Sequence, residues 1–295
     1  MIKNRRKKIT TPGDIVLKVI AYTYFTLFSL AVLIPFYIMV KDSVTTRAES
    51  ASTMAFIWFP KEGITFDAYK TSLFGKELEM FGISILRGFF NSMWQVVPTL
   101  VIGLFVSGLA AFAYAKLRFP GKDKLFMIML ATMMIPGAVL MMPSYVFYDS
   151  IGWTNTVLPL VIPGLFGGAT TIFFLRQFFR GIPSDLLDAA KLDGLGFMGQ
   201  YVRIMIPLSK PAFISQFIFG FIGGYNDYMG PLLYLNGQIE LYPLQMALTL
   251  YRDIYANDAA MVAALTILAL LPLIIIYVFM QKYFIEGIAV TGIKG

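Results

Sequence analysis

Apolar and polar residues are segregated into long blocks along this chain. Five apolar blocks have charged residues only at their ends, and a sixth contains one internal charge, Asp227. A helix needs about 20 apolar residues to cross a hydrocarbon core of about 30 Å, and there it satisfies its own backbone polar groups. The pattern therefore predicts an all-α polytopic membrane protein with six transmembrane helices. The blocks are 18–41, 87–116, 124–149, 149–176, 211–239 and 258–282.

The composition agrees with a lipid environment and excludes several kinds of chemistry. Of the 295 residues, 58% are hydrophobic and 14% are charged, and the mean hydropathy is +0.71. A soluble domain has about 45–50% apolar and about 25% charged residues. The absence of cysteine and histidine excludes disulfides, imidazole bases and the usual zinc ligands. No Gly-x-x-x-x-Gly-Lys-Ser/Thr phosphate loop is present either, so we expect this chain to hold no ATP, metal or cofactor of its own.

The basic residues predict the orientation of the chain. With a cytoplasmic amino terminus, 17 of the 24 Lys and Arg residues fall in cytoplasmic segments, as the positive-inside rule requires. Both termini would then be cytoplasmic, and the net charge of +7 would reflect topology and anionic lipid rather than nucleic acid. The predicted parts are a basic cytoplasmic N-terminus (1–14), a transmembrane domain (15–282) with an outer loop (41–86) and an inner segment (181–210), and a cytoplasmic tail (283–295).

Two features near the amino terminus have more than one interpretation. The outer loop is long enough to carry structure of its own, and we expect a short amphipathic helix in it. A solvated spacer with an interfacial belt of Trp58 and Tyr69 is the alternative. The first apolar block is interpreted as a retained helix rather than a signal peptide, because no small-residue cleavage site follows it.

The inner segment contains a spaced motif: Asp188-Ala-Ala, then Gly194, then Ile204-Met-Ile-Pro207. A proline and an acid at Pro183 and Asp185 favour the start of a helix, and Gly194 favours its end. A second short helical run is expected over 197–205. The predicted apolar face, suited to the groove of a soluble partner, consists of Leu186, Leu187, Ala190 and Leu195. From physics alone, an ordinary amphipathic helix at the inner leaflet fits equally well.

Polar residues within the apolar blocks are candidates for a translocation path. A carboxylate in a membrane span is costly unless it faces water or a partner, so Asp227 marks a functional site or a hydrated helix end. Tyrosine faces suit the C–H edges of a sugar, and asparagine offers donors and acceptors. Polar residues of the second block either line a pore or bond across helices. The candidates are Asn91, Trp94, Gln95, Tyr225, Asn226, Asp227 and Tyr228.

The motifs together resemble one family over nearly the whole chain. They are the inner-segment motif, Tyr225-Asn-Asp-Tyr228 followed by Pro231-Leu-Leu, and the stretch from Gln281 to Gly295. The chain is similar to permease subunits of carbohydrate-uptake ABC importers, the family of the maltose transporter's smaller membrane subunit. It departs from the usual pattern in three places: Asp188 replaces Glu, Ile206 replaces Leu, and Tyr225 replaces Trp. The last departure bears on any sugar contact at that position.

The resemblance implies a type I ABC importer permease fold and a set of partners. These are a homologous second permease, a cytoplasmic ATPase dimer that binds ATP and magnesium, and an extracytoplasmic binding protein that delivers an oligosaccharide or related glycan, acidic or neutral. It places the chain in the cytoplasmic membrane of a prokaryote. The residues implied to couple to the ATPase are Asp188, Ala189, Ala190, Asp193, Gly194, Ile204 and Pro207. The residues implied to approach the ATPase interface are Gly292, Lys294 and Gly295.

Two other classes of protein fit the sequence less well. An ion- or proton-coupled secondary transporter ordinarily shows more buried carboxylates or a broken-helix pattern repeated between halves, whereas this chain has one such Asp and no internal repeat. An intramembrane enzyme would need catalytic groups, and the chain lacks His, Cys and any metal-binding constellation. A transporter subunit without enzymatic activity is the expectation that remains.

Overall fold

The structure, a computed structural model, describes residues 12–52, 58–75, 82 and 84–292, and within these ranges the side chains of 12, 51–52 and 282–292 are not described. All regular structure in the described ranges is helical. The α-helices are α1 Pro12–Ser43, α2 Arg47–Ser52, α3 Asp67–Phe74, α4 Ile85–Lys116, α5 Lys122–Thr132, α6 Gly137–Ser150, α7 Leu158–Leu165, α8 Ala169–Arg180, α9 Asp185–Leu192, α10 Phe197–Gln200, α11 Ile206–Leu208, α12 Lys210–Tyr225, α13 Met229–Tyr234, α14 Leu244–Ile254 and α15 Ala259–Gly292. A π-helical turn (Tyr201–Met205) joins α10 to α11, and a 3₁₀ turn (Ile239–Leu241) precedes α14.

The helices agree with the six predicted spans, but two spans are bent. Four described stretches are long and apolar enough to cross a membrane: Gly13–Ser43, Ile85–Lys116, Leu158–Arg180 and Ala259–Gln281. Two bent pairs complete the six if each counts as one span: α5 with α6 at 93°, and the run through α10 and α11 with α12 at 80°. The first bend lies at Pro136, which disfavours helical backbone at the preceding residue.

The chain divides into two compact units, and the smaller contains residues up to Ser72 together with Tyr255–Ile267. Its outer loop carries α2 and α3, so the predicted helix within this loop is present. The Glu49 carboxylate accepts backbone hydrogen bonds from Lys61 at 2.8 Å and Glu62 at 3.2 Å. These N–H groups, first that of Lys61, lower the pKa of the Glu49 carboxyl. The Glu49 carboxylate on α2 therefore holds the later part of the outer loop, at Lys61 and Glu62, against the earlier part.

The larger unit, Leu73–Ile254 with Leu268–Gly295, is organised around α4. Helices α7, α8, α12 and α14 all pack against it. Gly103, Ser107, Gly108 and Ala111 are all buried on α4, and small residues of this kind let helix backbones approach closely. The core next to the inner segment consists of Ala111, Phe112, Leu175, Phe179, Ile182, Leu187, Tyr201, Met205 and Ala212.

The carboxyl-terminal region differs from the prediction. The sequence predicted a cytoplasmic tail at 283–295 that is flexible because it contains Gly287, Gly292 and Gly295. In the structure α15 is a single helix of 34 residues that ends at Gly292, so this part of the predicted tail is helical. At about 1.5 Å per residue it is far longer than a hydrocarbon core. Lys294 and Gly295 lie outside the described residues, as do residues 1–11 of the basic N-terminus.

Candidate functional site

The inner segment forms the helix–turn–helix that its motif predicts. Helix α9 ends in a Schellman motif: the N–H of Leu195 bonds to the carbonyl of Ala190 at 2.9 Å, and that of Gly194 bonds to the carbonyl of Lys191 at 3.1 Å. Gly194 has φ +85°, a left-handed conformation that costs a residue with a Cβ about 1–2 kcal/mol. The glycine is therefore required by the backbone of the turn, and the space around it is open.

The predicted apolar face of α9 is exposed only in part. Leu187 and Ala190 point into the protein's own core, at 7% and 5% exposure, and Leu195 is half-buried. Leu186 is exposed, and the most exposed apolar side chain is one that the prediction missed, Leu192, at 90%. Leu187 and Ala190 form the buried face of α9. Leu192 lies on the opposite side of the helix and therefore faces solvent. The exposed motif residues of the segment are Asp188, Ala189, Asp193, Gly194 and Pro207.

The second half of the inner segment is not a simple α-helix. The π-helical turn Tyr201–Met205 buries Tyr201 and Met205 completely, while Ile204 is half-buried. After α11 the chain bends by 80° at Ser209, between two prolines of the sequence, and enters α12. Pro207 therefore lies inside the helical run, one residue before its end at Leu208. Single π-helical turns are rare and often occur at functional sites.

Helices α4, α7, α8 and α12 enclose a cavity of about 290 Å³ in the larger unit. Glycines line much of it because the backbones approach closely. A Cβ on Gly103 would lie 2.3 Å from the carbonyl oxygen of Gly164. The Oγ of Ser107 accepts a hydrogen bond from the N–H of Gly168 at 3.1 Å. The lining residues are Gln95, Val96, Thr99, Leu100, Gly103, Leu104, Ser107, Leu160, Gly164, Gly167, Gly168, Thr171, Gly220, Gly224, Asp227, Pro231 and Pro243.

Asp227 lies in a break in the fifth predicted span. Helix α12 ends at Tyr225 and α13 begins at Met229, so the block 211–239 is not one continuous helix. An Oδ atom of Asp227 accepts the backbone N–H of Gly230 at 3.2 Å, and a Cβ at Gly230 would lie 2.5 Å from the other Oδ. Asp227 is the only charged residue among the described residues that line the cavity.

The polar residues of the second span hold a loop in place. The Nδ2 of Asn91 donates to the carbonyl oxygens of Glu240, at 2.7 Å, and Tyr242, at 3.0 Å. Gln95 donates to the carbonyl of Leu241 at 3.0 Å, and the indole N–H of Trp94 donates to Oδ1 of Asn91 at 3.2 Å. Of the two alternatives that the sequence left open, bonding between elements describes Asn91, whereas Trp94 bonds only to Asn91 within the same helix. Gln95 bonds between elements and also lines the cavity.

Tyr225 lies in the packed core. Its side chain is 0% exposed, its hydroxyl donates to the carbonyl of Ala269 at 3.0 Å, and its ring stacks on Phe221 at 5.4 Å. The expectation that this ring offers a flat face to a sugar is not met in this structure. Asn226 is exposed and accepts a hydrogen bond from Gln245 at 3.1 Å, and Tyr228 is half-buried.

Comparison with known proteins decides the family. Residues 88–290 match the family described as binding-protein-dependent transport system inner membrane component. The chain belongs to this family of permeases. It is 32% identical to the arabinooligosaccharides transport system permease protein AraQ of Bacillus subtilis, over 97% of this chain and 99% of AraQ. It is also 32% identical to the sn-glycerol-3-phosphate transport system permease protein UgpE of Brucella abortus, over 76% of this chain and 79% of UgpE.

A solved structure has the same fold as this permease. It is a bacterial ABC transporter involved in the import of the acidic polysaccharide alginate, with a TM-score of 0.74, 23% identity, and coverage of 93% of this chain and 98% of the matched chain. The predicted type I importer permease fold is therefore confirmed. The permease is a multi-pass membrane subunit of an importer and not itself an enzyme, and the alternative of a secondary transporter is not favoured.

The sequence missed several cavity residues of the permease, although a signal for them exists. Thr99, Gly103 and Ser107 recur every four residues along α4 and share one face of that helix. Thr171 of α8 lines the cavity as well. A stripe of small residues in an apolar helix indicates close approach by another backbone, and here that approach forms a wall of the cavity.

Proposed function

We propose that this permease and a homologous second permease together move a neutral oligosaccharide across the cytoplasmic membrane of a prokaryote. An extracytoplasmic binding protein delivers the cargo, and a cytoplasmic ATPase dimer, which binds ATP and magnesium, drives alternating access. The permease contributes no ATPase activity, and both of its termini are cytoplasmic. The family membership, and the sugar cargo in the name of its relative AraQ, support this proposal.

The surface of the inner segment is the observation that carries the coupling role. Leu186 and Leu192 are exposed at 45% and 90%, on a helix whose other face is buried in the permease core. Asp188 and Asp193, both exposed, border them, so the segment is too charged to lie in lipid. Exposed apolar residues with a charged rim are typical of a docking surface on a soluble protein. The ATPase is the partner that such an importer requires on this side.

Two further sites belong to the proposal. Asp227, Gln95 and the exposed Asn226 lie on or next to the cargo path, and Tyr228 borders it. The end of α15 at Gly292, with Lys294 and Gly295 beyond it, extends toward the ATPase interface. The helical backbone up to Gly292 supports a projecting element rather than a loose end.

The charge of the cavity supports a neutral cargo. Asp227 is the only charge among the described lining residues, so a uronate carboxylate there would meet a like charge without a cation beside it. At 4 Å that repulsion is about 1 kcal/mol in water and about 4 kcal/mol at an effective dielectric of about 20. A neutral sugar instead gains a charged hydrogen-bond acceptor for its hydroxyls.

Reconstitution of the complete complex in vesicles, with the binding protein outside and ATP inside, tests the proposal. We expect uptake that requires ATP, no ATP hydrolysis by the permease alone, and faster uptake of a neutral oligosaccharide than of a uronic-acid oligosaccharide of equal length, both bound by the binding protein. Asp227→Asn should narrow that difference, and Asp149→Asn, a matched change outside the cavity lining, should leave it unchanged. Hydrolysis by the permease alone, or uptake driven by a proton gradient without ATP, would contradict the proposal.

A further inference from the structure

The part of the inner segment from Ile182 to Tyr201, which contains α9, is hydrogen-bonded to helix α4 at both of its ends. At the first end, the Nζ of Lys116 donates to the backbone carbonyl of Ile182. At the second end, the hydroxyl of Tyr201 donates to the backbone carbonyl of Phe105 at 2.8 Å. The two α4 positions are eleven residues apart, which is roughly 16 Å along a helix. One continuous helix therefore holds the inner segment at two separated points.

The contact at Tyr201 is closely packed. Tyr201 is 0% exposed, and its ring lies 5.3 Å from the ring of Phe105 and 6.0 Å from that of Phe112. Its hydroxyl reaches the α4 backbone because position 108 is glycine: a Cβ there would lie 2.2 Å from the Tyr201 hydroxyl oxygen and 2.8 Å from Phe213. A carbonyl oxygen inside a helix has a second lone pair, so this bond leaves the helix intact.

The same part of α4 forms a wall of the cavity. Gly103, Leu104 and Ser107 line it, and Phe105, whose carbonyl accepts the Tyr201 bond, lies among them. A displacement of Tyr201 therefore acts on α4 at Phe105, within one helical turn of the residues that line the cavity. Packed cores and regular helices deform little, so such a displacement moves the helix rather than bending it.

The covalent route from the inner segment to the cavity runs through a bend. It passes from the π-helical turn through the 80° bend at Ser209 into α12. Ser209 is 0% exposed, and its hydroxyl has no hydrogen-bond partner among the described residues. The Ser209 backbone is hydrogen-bonded on both sides of the bend, to Met205 at 3.0 Å and from Phe213 at 3.1 Å, so the two bonds to α4 add a second route beside this one.

We propose that Lys116 and Tyr201 clamp the inner segment to α4, so that movement of this segment passes to the cavity through α4. The clamp rests on the proposed function, in which the inner segment docks on the ATPase. Tyr201 and Lys116 are positioning residues: they touch neither cargo nor nucleotide. They set how much of the ATPase movement reaches the cavity.

The test uses Tyr201→Phe, which removes one oxygen and keeps the packed ring, and Lys116→Met, which keeps most of the side-chain length. Tyr148→Phe and Lys124→Met are the matched controls, since both positions lie outside the clamp. In the complete reconstituted complex, we expect normal recovery of the ATPase subunits and normal ATP hydrolysis for both clamp variants. We also expect at least a fivefold rise in the ATP hydrolysed per cargo imported, and no rise for the controls.

A distance measurement supplies a second readout. The natural chain has no cysteine, so a permease labelled at Met198→Cys in the inner segment and Val101→Cys in α4 before assembly with unlabelled partners reports one distance in the complete complex. Both positions are more than half exposed. The distance should change little between the ATP-free and ATP-trapped states, and Tyr201→Phe should broaden it in the trapped state.

The outcomes separate the clamp from the proposed function. An unchanged ratio of ATP to cargo, or an unbroadened distance, in Tyr201→Phe would overturn the clamp even if the ATPase still docks. Loss of the ATPase subunits from the Tyr201→Phe complex would also overturn it, because the hydroxyl would then serve only the docking surface. An inner segment whose exposed residues can be changed without effect on ATPase recovery would instead overturn the docking role.

Discussion

The inner segment and the cavity, which both border α4, are built in different ways. The inner segment is held by side chains that reach backbone carbonyls, such as Tyr201 to Phe105, and by a filled aromatic core. The cavity is bounded by helix backbones that approach each other at glycines, as Gly103 does at Gly164. The inner segment therefore has little freedom to rearrange. The cavity is lined by small residues, and its shape depends on how four helices cross. This difference suits a transporter in which a rigid part moves and a cavity changes shape.

The largest expected effect on stability comes from a substitution at Gly108, which lies where the inner segment meets α4 beside the cavity. Gly108→Leu places its side chain where the Tyr201 hydroxyl and Phe213 lie, and such overpacking costs about 1–3 kcal/mol or more. Fluorescence-detected thermal unfolding in detergent should show a marked fall in Tm and in recovery of the complex. Gly223→Leu is the control, because a Cβ at Gly223 meets nothing within 4 Å. Equal effects of the two changes would mean that Tyr201 is not held against α4.

The second prediction concerns the loop beside the cavity. Asn91→Ala leaves the carbonyls of Glu240 and Tyr242 without their donor, at a cost of about 1–3 kcal/mol. The half-exposed Trp94→Phe loses one bond to Asn91 and should cost less than about 1 kcal/mol. Thermal unfolding distinguishes the two variants. If Asn91→Ala slowed uptake at normal stability, Asn91 would be a cargo contact rather than a structural residue.

The third prediction separates backbone conformation from side-chain size at the end of α9. Gly194→Val should cost about 1–2 kcal/mol locally, because only glycine adopts φ +85° freely. Gly194→Asn should be tolerated better, since asparagine tolerates this conformation more than most residues. Recovery of the ATPase subunits with the tagged permease is the measurement. Equal loss with both residues would indicate a steric requirement of the docking partner instead of a backbone requirement.

The smallest effect on stability is expected at Gly230. A Cβ there would lie 2.5 Å from the end of the Asp227 side chain, which can move away, so Gly230→Ala should change stability by less than about 1 kcal/mol. Its effect on uptake of a neutral oligosaccharide should be larger, a fall of several fold, because the carboxylate is displaced. Gly137→Ala, at a glycine where an added Cβ meets nothing within 4 Å and which does not line the cavity, is the control for uptake. Normal uptake by Gly230→Ala would remove Asp227 from the cargo path.

The sequence predicted the elements of the permease well because their signals are local. A charge-free block of membrane length requires a helix, and Gly194 ends α9 through a motif formed within six residues. The bend between α5 and α6 was less clear from the sequence, although Pro136 marks it. The sequence did not predict the continuation of α15 to Gly292, because glycines such as Gly287 and Gly292 favour a flexible backbone.

The sequence by itself determined the class of protein, the number of spans and the position of the inner segment. Only the tertiary structure decided which side of each helix is covered. Tyr225 proved to be buried, Asn91 and Gln95 proved to hold a loop, and Leu192 proved to be the exposed residue of α9. The physical reason is that lipid is as apolar as a protein core, so an apolar helix carries no pattern that distinguishes its packed face from its lipid face. That choice is made by the neighbouring helices, which are distant in the sequence.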